Sequence, residues 1–270
     1  MKKKNAFPIF LLVIFLATSC GVRIPTTMGD PKNAKTYGYH PLDPLPVQLL
    51  FREDTTAEFS RAERLLFALP DETMRLAIGE ITGEGGIHYG TAKAGYKGKS
   101  YIVILDYIKF NTKSFGVKLT ETDSGNTNDK TAELTENPND ADVIIPVYIG
   151  IGARLTANIT VNEGSVDLGN LFALGAAANA KKITGTMVIQ TLGISGETIS
   201  PIIPMPSEIN PTTIQNAILA LGTIKAKIYD GKTKITPRVV GVYNNLGGGA
   251  ETINGFISAL LVTQQELPIN

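Results

Sequence analysis

Val143 to Gly164 reads VIIPVYIGIGARLTANITVNEG, and the way its apolar residues are spaced decides the fold class. From Arg154 to Asn162 the side chains alternate strictly. Leu155, Ala157, Ile159 and Val161 fall on one face, against Arg154, Thr156, Asn158, Thr160 and Asn162 on the other. A period of two places successive side chains on opposite sides of an extended chain, so this is a strand with one wet face. Glu163 and Gly164 offer a turn, and Ile183 to Ile194 (ITGTMVIQTLGI) supplies a further strand beyond the small-residue segment LFALGAAANA at 171–180.

Upstream, Tyr101 to Phe110 (YIVILDYIKF) is rich in β-branched and aromatic residues, and Phe115 to Leu119 alternates weakly. Both are expected to be strands. From Thr55 to Ile81 the pattern predicts helices, the first with Phe59, Ala62, Leu65, Leu66 and Leu69 near one face. Pro70 ends it, and Asp71 would cap a second carrying Met74, Leu76, Ala77 and Ile81. Asn210 before Pro211 is a helix start, with Ile214, Ala217, Ile218, Leu221 and Ile228 at helical spacing as far as Asp230 and Gly231. Arg238 to Tyr243 is a strand, Gly247 to Gly249 a loop, and Glu251 to Leu261 a last helix. The expectation is therefore α+β: a single domain with a mixed or antiparallel sheet and a few helices.

The 270 residues carry 25 basic and 25 acidic side chains, one cysteine and two histidines. With no excess of Lys and Arg and no local basic patch, a nucleic-acid partner is excluded. One cysteine makes neither an internal disulfide nor a cysteine-based zinc site, and two histidines leave little for a metal centre. No metal and no cofactor are expected.

The N-terminus carries an address. Lys2, Lys3 and Lys4 precede the apolar run Phe7 to Ala17, which is too short to cross a bilayer, and Ala17, Thr18 and Ser19 lead to the lone Cys20. This resembles the lipobox of bacterial lipoproteins, although Ala17 stands where leucine is usual. The resemblance implies that residues 1–19 are a signal peptide, that Cys20 is the lipid-attachment residue, and that membrane lipid is a partner through the acylated Cys20. Each buried CH₂ contributes about 0.8 kcal/mol, and two or three chains hold a protein stably at a surface it need not span. Gly21 after the cysteine points, by the same resemblance, to the outer membrane, with the body facing the periplasm or the cell surface. Removing residues 1–19 leaves 22 basic and 25 acidic side chains, a net of −3.

Residues 20–47 are expected to form the lipidated N-terminus and an extended tether, because Pro25, Pro31, Pro41, Pro44 and Pro46 interrupt a stretch without period. Residues 48–270 are expected to be the body, with an almost wholly polar loop at 121–142.

Catalytic residue types do not assemble into a constellation. Gly193 to Glu197 (GISGE) has its second glycine one place too early for a nucleophile elbow. His88, in the Gly-rich stretch GEGGIHYG, is a general base only if a serine or acid reaches it, and His40 falls in the tether. Gly247 to Gly249 lack the lysine of a phosphate loop. Asp106, between Leu105 and Tyr107, suits an outward-facing residue between two inward ones.

Nine alternating residues also span a bilayer as a tilted strand. In the order of their elements, residues 142–229 resemble the pore-forming part of the curli secretion channel lipoproteins. That resemblance covers about a third of the chain and carries no diagnostic motif. It implies a homo-oligomeric pore. The leading expectation is a non-enzymatic binding or assembly module of the cell envelope with an envelope protein partner, through loop 121–142 and the 171–180 segment. A secretion or pore subunit, and a hydrolase using His88, are the alternatives.

Overall fold

A computed structural model of the chain describes residues 38–52, 59–83, 86–89, 94–121, 130–135, 137–173, 177–247 and 250–269. Cys20 and the signal segment lie outside the described residues, as do 122–129 of the polar loop and 248–249 of the glycine run.

In chain order the elements are β1 (Gly38–Pro46), β2 (Gln48–Phe51), α1 (Arg61–Phe67), β3 (Asp71–Ile81), β4 (Ile87–Tyr89), β5 (Ala94–Tyr96), β6 (Ser100–Glu121) and β7 (Lys130–Thr135). They continue with β8 (Val143–Val161), β9 (Ser165–Asp167), α2 (Leu168–Ala173), β10 (Ile183–Leu192), β11 (Ile194–Ser195), β12 (Ser207–Glu208) and α3 (Pro211–Lys227). The last are β13 (Lys234–Ile235), β14 (Arg238–Asn244), α4 (Ala250–Val262) and β15 (Glu266–Ile269). The fold is α+β with mostly antiparallel pairing.

Two long strands organise it. β6 and β8 pair antiparallel from Ser100↔Thr160 to Val117↔Val143. β3 lies along the first half of β6 and β7 along its last residues. β10 lies along the second half of β8, and β14 along Val147 to Gly150. The nine-stranded sheet runs β4–β3–β6–β8–β14–β1, with β10, β12 and β7 attached beside it.

One face of this sheet is closed by apolar packing. Leu76, Leu105, Leu155 and Ile189 stand in register across four strands and are all buried. α3 packs on β8 through the buried side chains of Ile214, Ala217, Leu221 and Ile224. Its start follows the sequence: Asn210 accepts from the Thr213 N–H at 3.0 Å, Thr213 Oγ1 accepts from the Asn210 N–H at 2.9 Å, and Pro211 needs no partner at the first position. The expected turn at Gly164 is present, with φ +55°.

Four expectations are corrected. Residues 71–81 form strand β3, not a second helix. Leu76 to Gly79 are consecutively buried because both faces of β3 are covered, which erases the period of two and leaves Met74, Leu76, Ala77 and Ile81 at a spacing that mimics a helix. Residues 38–46, expected in the tether, form strand β1 with Tyr39 and Leu42 buried. Its prolines are tolerated because β1 is an edge strand, laddered to β14 alone and interrupted by a register shift between Pro41 and Leu45. The polar segment 121–142 contains strand β7, where Ala132 enters the core. Of LFALGAAANA, Leu171, Phe172 and Ala180 are buried in the main cluster and present no surface to a partner.

Candidate functional site

The second face of the sheet carries a different row. One residue along from the apolar row, Arg75, Asp106, Arg154 and Gln190 stand opposite one another on β3, β6, β8 and β10. The alternation that turns Leu105 and Leu155 into the core turns Asp106 and Arg154 the other way. Asp106 therefore faces outward from the main core, as its neighbours imply, yet it is 0% exposed because β1 lies over it.

Arg154 Nε donates to Asp106 Oδ1 at 2.8 Å and its Nη2 to Oδ2 at 2.7 Å, a two-pronged ion pair. The guanidinium then reaches the strands above: Nη1 donates to the Leu42 carbonyl at 2.7 Å and Nη2 to the Val240 carbonyl at 2.9 Å. Tyr39 donates its hydroxyl to Asp106 Oδ2. Burial disfavours the Arg154 charge, but the hydrogen bonds and charge of Asp106 outweigh it and hold the guanidinium more firmly protonated than in water. Burial, and then the Asp106 charge, push the Tyr39 hydroxyl well above its ordinary value. Arg75, on the other flank of Asp106, instead lies 5.3 Å from the centre of the Tyr148 ring. The network joins β1, β6, β8 and β14, so it fixes how β1 crosses the sheet.

Beyond this network the face is not closed. A cleft of about 590 Å³ opens beside Arg154. Its floor is the next row of the sheet, Ile104, Thr156 and Val188 in register on β6, β8 and β10, with Ile102 and Gln190 to either side. Pro41, Leu42, Asp43 and Leu45 of β1 form one wall, Ile87 and Tyr89 of β4 another, and Ile257 and Leu261 of α4 a third. Apolar rim residues are left in solvent: Val188 is 37% exposed, Ile87 39% and Leu261 57%. Cavities of this size, mostly apolar with a few polar groups, are the usual form of small-molecule sites.

Some of these residues were legible at the level of sequence and some were not. His40, placed in the tether from sequence, lies in β1 with its ring 5.0 Å from that of Tyr89 and edge-on to it. Burial lowers its pKa to about 4, and burial raises that of Tyr89 to about 12. His88 stands in strand β4 opposite Glu80, where a loop residue was expected. Tyr39 was missed because of the prolines around it. Arg154 was assigned to the wet face, which holds for Asn158 and Thr160 but ends where β1 begins to cover the sheet. A single acid in one apolar strand and a single base in the next was the signal that pairs Asp106 with Arg154.

Among the described residues no group of three or more His, Cys, Asp or Glu is placed to hold a metal ion, and no helix is long and apolar enough to cross a membrane. Searches against protein-family models, curated proteins and solved structures find no match to this chain.

Proposed function

We propose that this is a bacterial envelope lipoprotein, anchored through acylated Cys20 to the outer membrane, whose α+β body is a non-enzymatic binding module. The cleft on the second sheet face is its binding site. The observation that carries the reading is the exposed apolar rim of Val188, Ile87 and Leu261 around a floor held rigid by the Asp106–Arg154 network. Contiguous apolar surface left in water mostly marks a place where something binds. The lipobox resemblance at Ala17 to Cys20 supports the anchor. The charges of Asp106 and Arg154 are spent on each other and on backbone carbonyls, an arrangement that positions strands rather than transfers protons.

Two experiments test this reading. Replacing Cys20 by Ala should release the protein from the membrane fraction, and retention there would refute the anchor. A photo-crosslinking residue at Val188 should give a discrete adduct in cells that one at Leu219, on the outer face of α3, does not; equal labelling at both positions would refute the cleft as the binding site.

A further inference from the structure

We propose that the cleft takes a neutral single-chain lipid whose head carries hydroxyl groups, of the monoacylglycerol type. This rests on the binding-module reading and names its ligand class. The shape supports a chain lying across the strands. From Ile87 on β4 to Val188 on β10 the cleft crosses β3, β6 and β8, four strand spacings or about 19 Å. A second recess of about 280 Å³ adjoins the first, with Leu45 and Leu261 lining both. No strand edge needs to be opened along this path, because the floor is made of side chains.

Charge selects the head group. Among the described residues Arg154 is the one cation lining the cleft, and four of its five N–H groups already point at Asp106, Leu42 and Val240. Asp106 cancels its charge, so an anionic head finds no free cation among the described residues. The polar groups on the floor, the Thr156 hydroxyl and the Gln190 amide, are neutral and both donate and accept. Asp43 is the remaining formal charge of the lining, and it stands exposed at the rim, where water screens it. An acceptor at the rim and neutral groups on the floor match hydroxyls. A body anchored as proposed above stays beside a membrane, the source of such acyl chains.

The test uses the mature chain from residue 20 with Cys20→Ser, which contains every described residue, and titrates it calorimetrically with monoacylglycerols of eight, ten and twelve carbons. Affinity should rise roughly tenfold per two methylenes. Laurate and dodecylamine should each bind at least tenfold more weakly than monolauroylglycerol. Val188→Arg and Leu261→Arg should each weaken monolauroylglycerol binding at least tenfold while leaving the thermal midpoint within a few degrees. Both positions are exposed, and Leu261 on α4 stands as a check should the strand variant fold poorly. No chain-length dependence, equal or tighter binding of laurate or dodecylamine, or full binding by a well-folded Leu261→Arg would overturn the lipid assignment. Protein adducts at Val188 without lipid binding would sink this inference and leave the binding-module reading standing, whereas loss of both would remove the reading itself.

Discussion

Two rows of side chains, one residue apart along the same four strands, do opposite things. Leu76, Leu105, Leu155 and Ile189 point into a closed apolar layer under α3. Arg75, Asp106, Arg154 and Gln190 point the other way, toward β1 and an open cleft. The first face is held by area removed from water, which is non-directional and tolerates no gap. The second has a smaller apolar cluster around Ile104, Ile108, Phe110 and Tyr148, and beside it directed bonds from one guanidinium to two backbone carbonyls and a carboxylate. Directed bonds can fix a strand without filling the space next to it. A sheet face secured in this way can therefore keep a cavity, and the apolar face cannot.

The sharpest way to break the second face is to remove one charge. Asp106→Ala leaves Arg154 buried without its anion, and urea unfolding should show a loss of about 3–5 kcal/mol. Replacing both residues, Asp106→Leu with Arg154→Met, should recover most of that loss, because a buried ion pair adds little over apolar side chains of similar size. If the double variant also keeps ligand affinity, the network acts only in folding. Lost affinity at recovered stability would assign the network to the position of β1 and hence to the cleft wall. On the closed face Leu155→Ala should cost about 3 kcal/mol by creating a void in the buried row, with affinity unchanged. A loss of affinity there, measured under conditions where the variant is folded, would mean that the two faces are not independent.

The two faces were not equally legible in the sequence. The closed face shows itself through periodicity: Leu155, Ala157 and Ile159 alternate, and Ile214, Ala217 and Leu221 recur at helical spacing, so β8, β10 and α3 are read nearly as they stand. The open face depends on contacts between residues far apart in the chain. Tyr39, Asp106 and Arg154 are separated by tens of residues, and nothing local to Tyr39 distinguishes a proline-rich edge strand from a tether. β3 was lost for a related reason, since burial on both sides removes the alternation that identifies a strand. The cleft itself has no local signature. It is defined by five strands and a helix that meet only after the sheet has formed.

The smallest effect is a titration on the second face, where His40 is half-buried. His40 packs edge-on against Tyr89, and burial lowers its pKa from the usual 6.5 to about 4. The folded state thus binds its proton less readily than the unfolded chain does. Between those two values the unfolded state carries more protons, so stability rises with pH there. The contribution is present in full above about pH 6.5 and is lost as the solution is acidified toward pH 4. The ring keeps partial contact with solvent, which reduces the effect to about 1 kcal/mol between pH 7 and pH 5. Urea midpoints for the wild type should fall over that interval, and His40→Gln, which cannot titrate, should remove that part of the slope. An unchanged slope in His40→Gln would place the titration elsewhere and leave β1 with no pH-sensitive contact at the edge of the cleft.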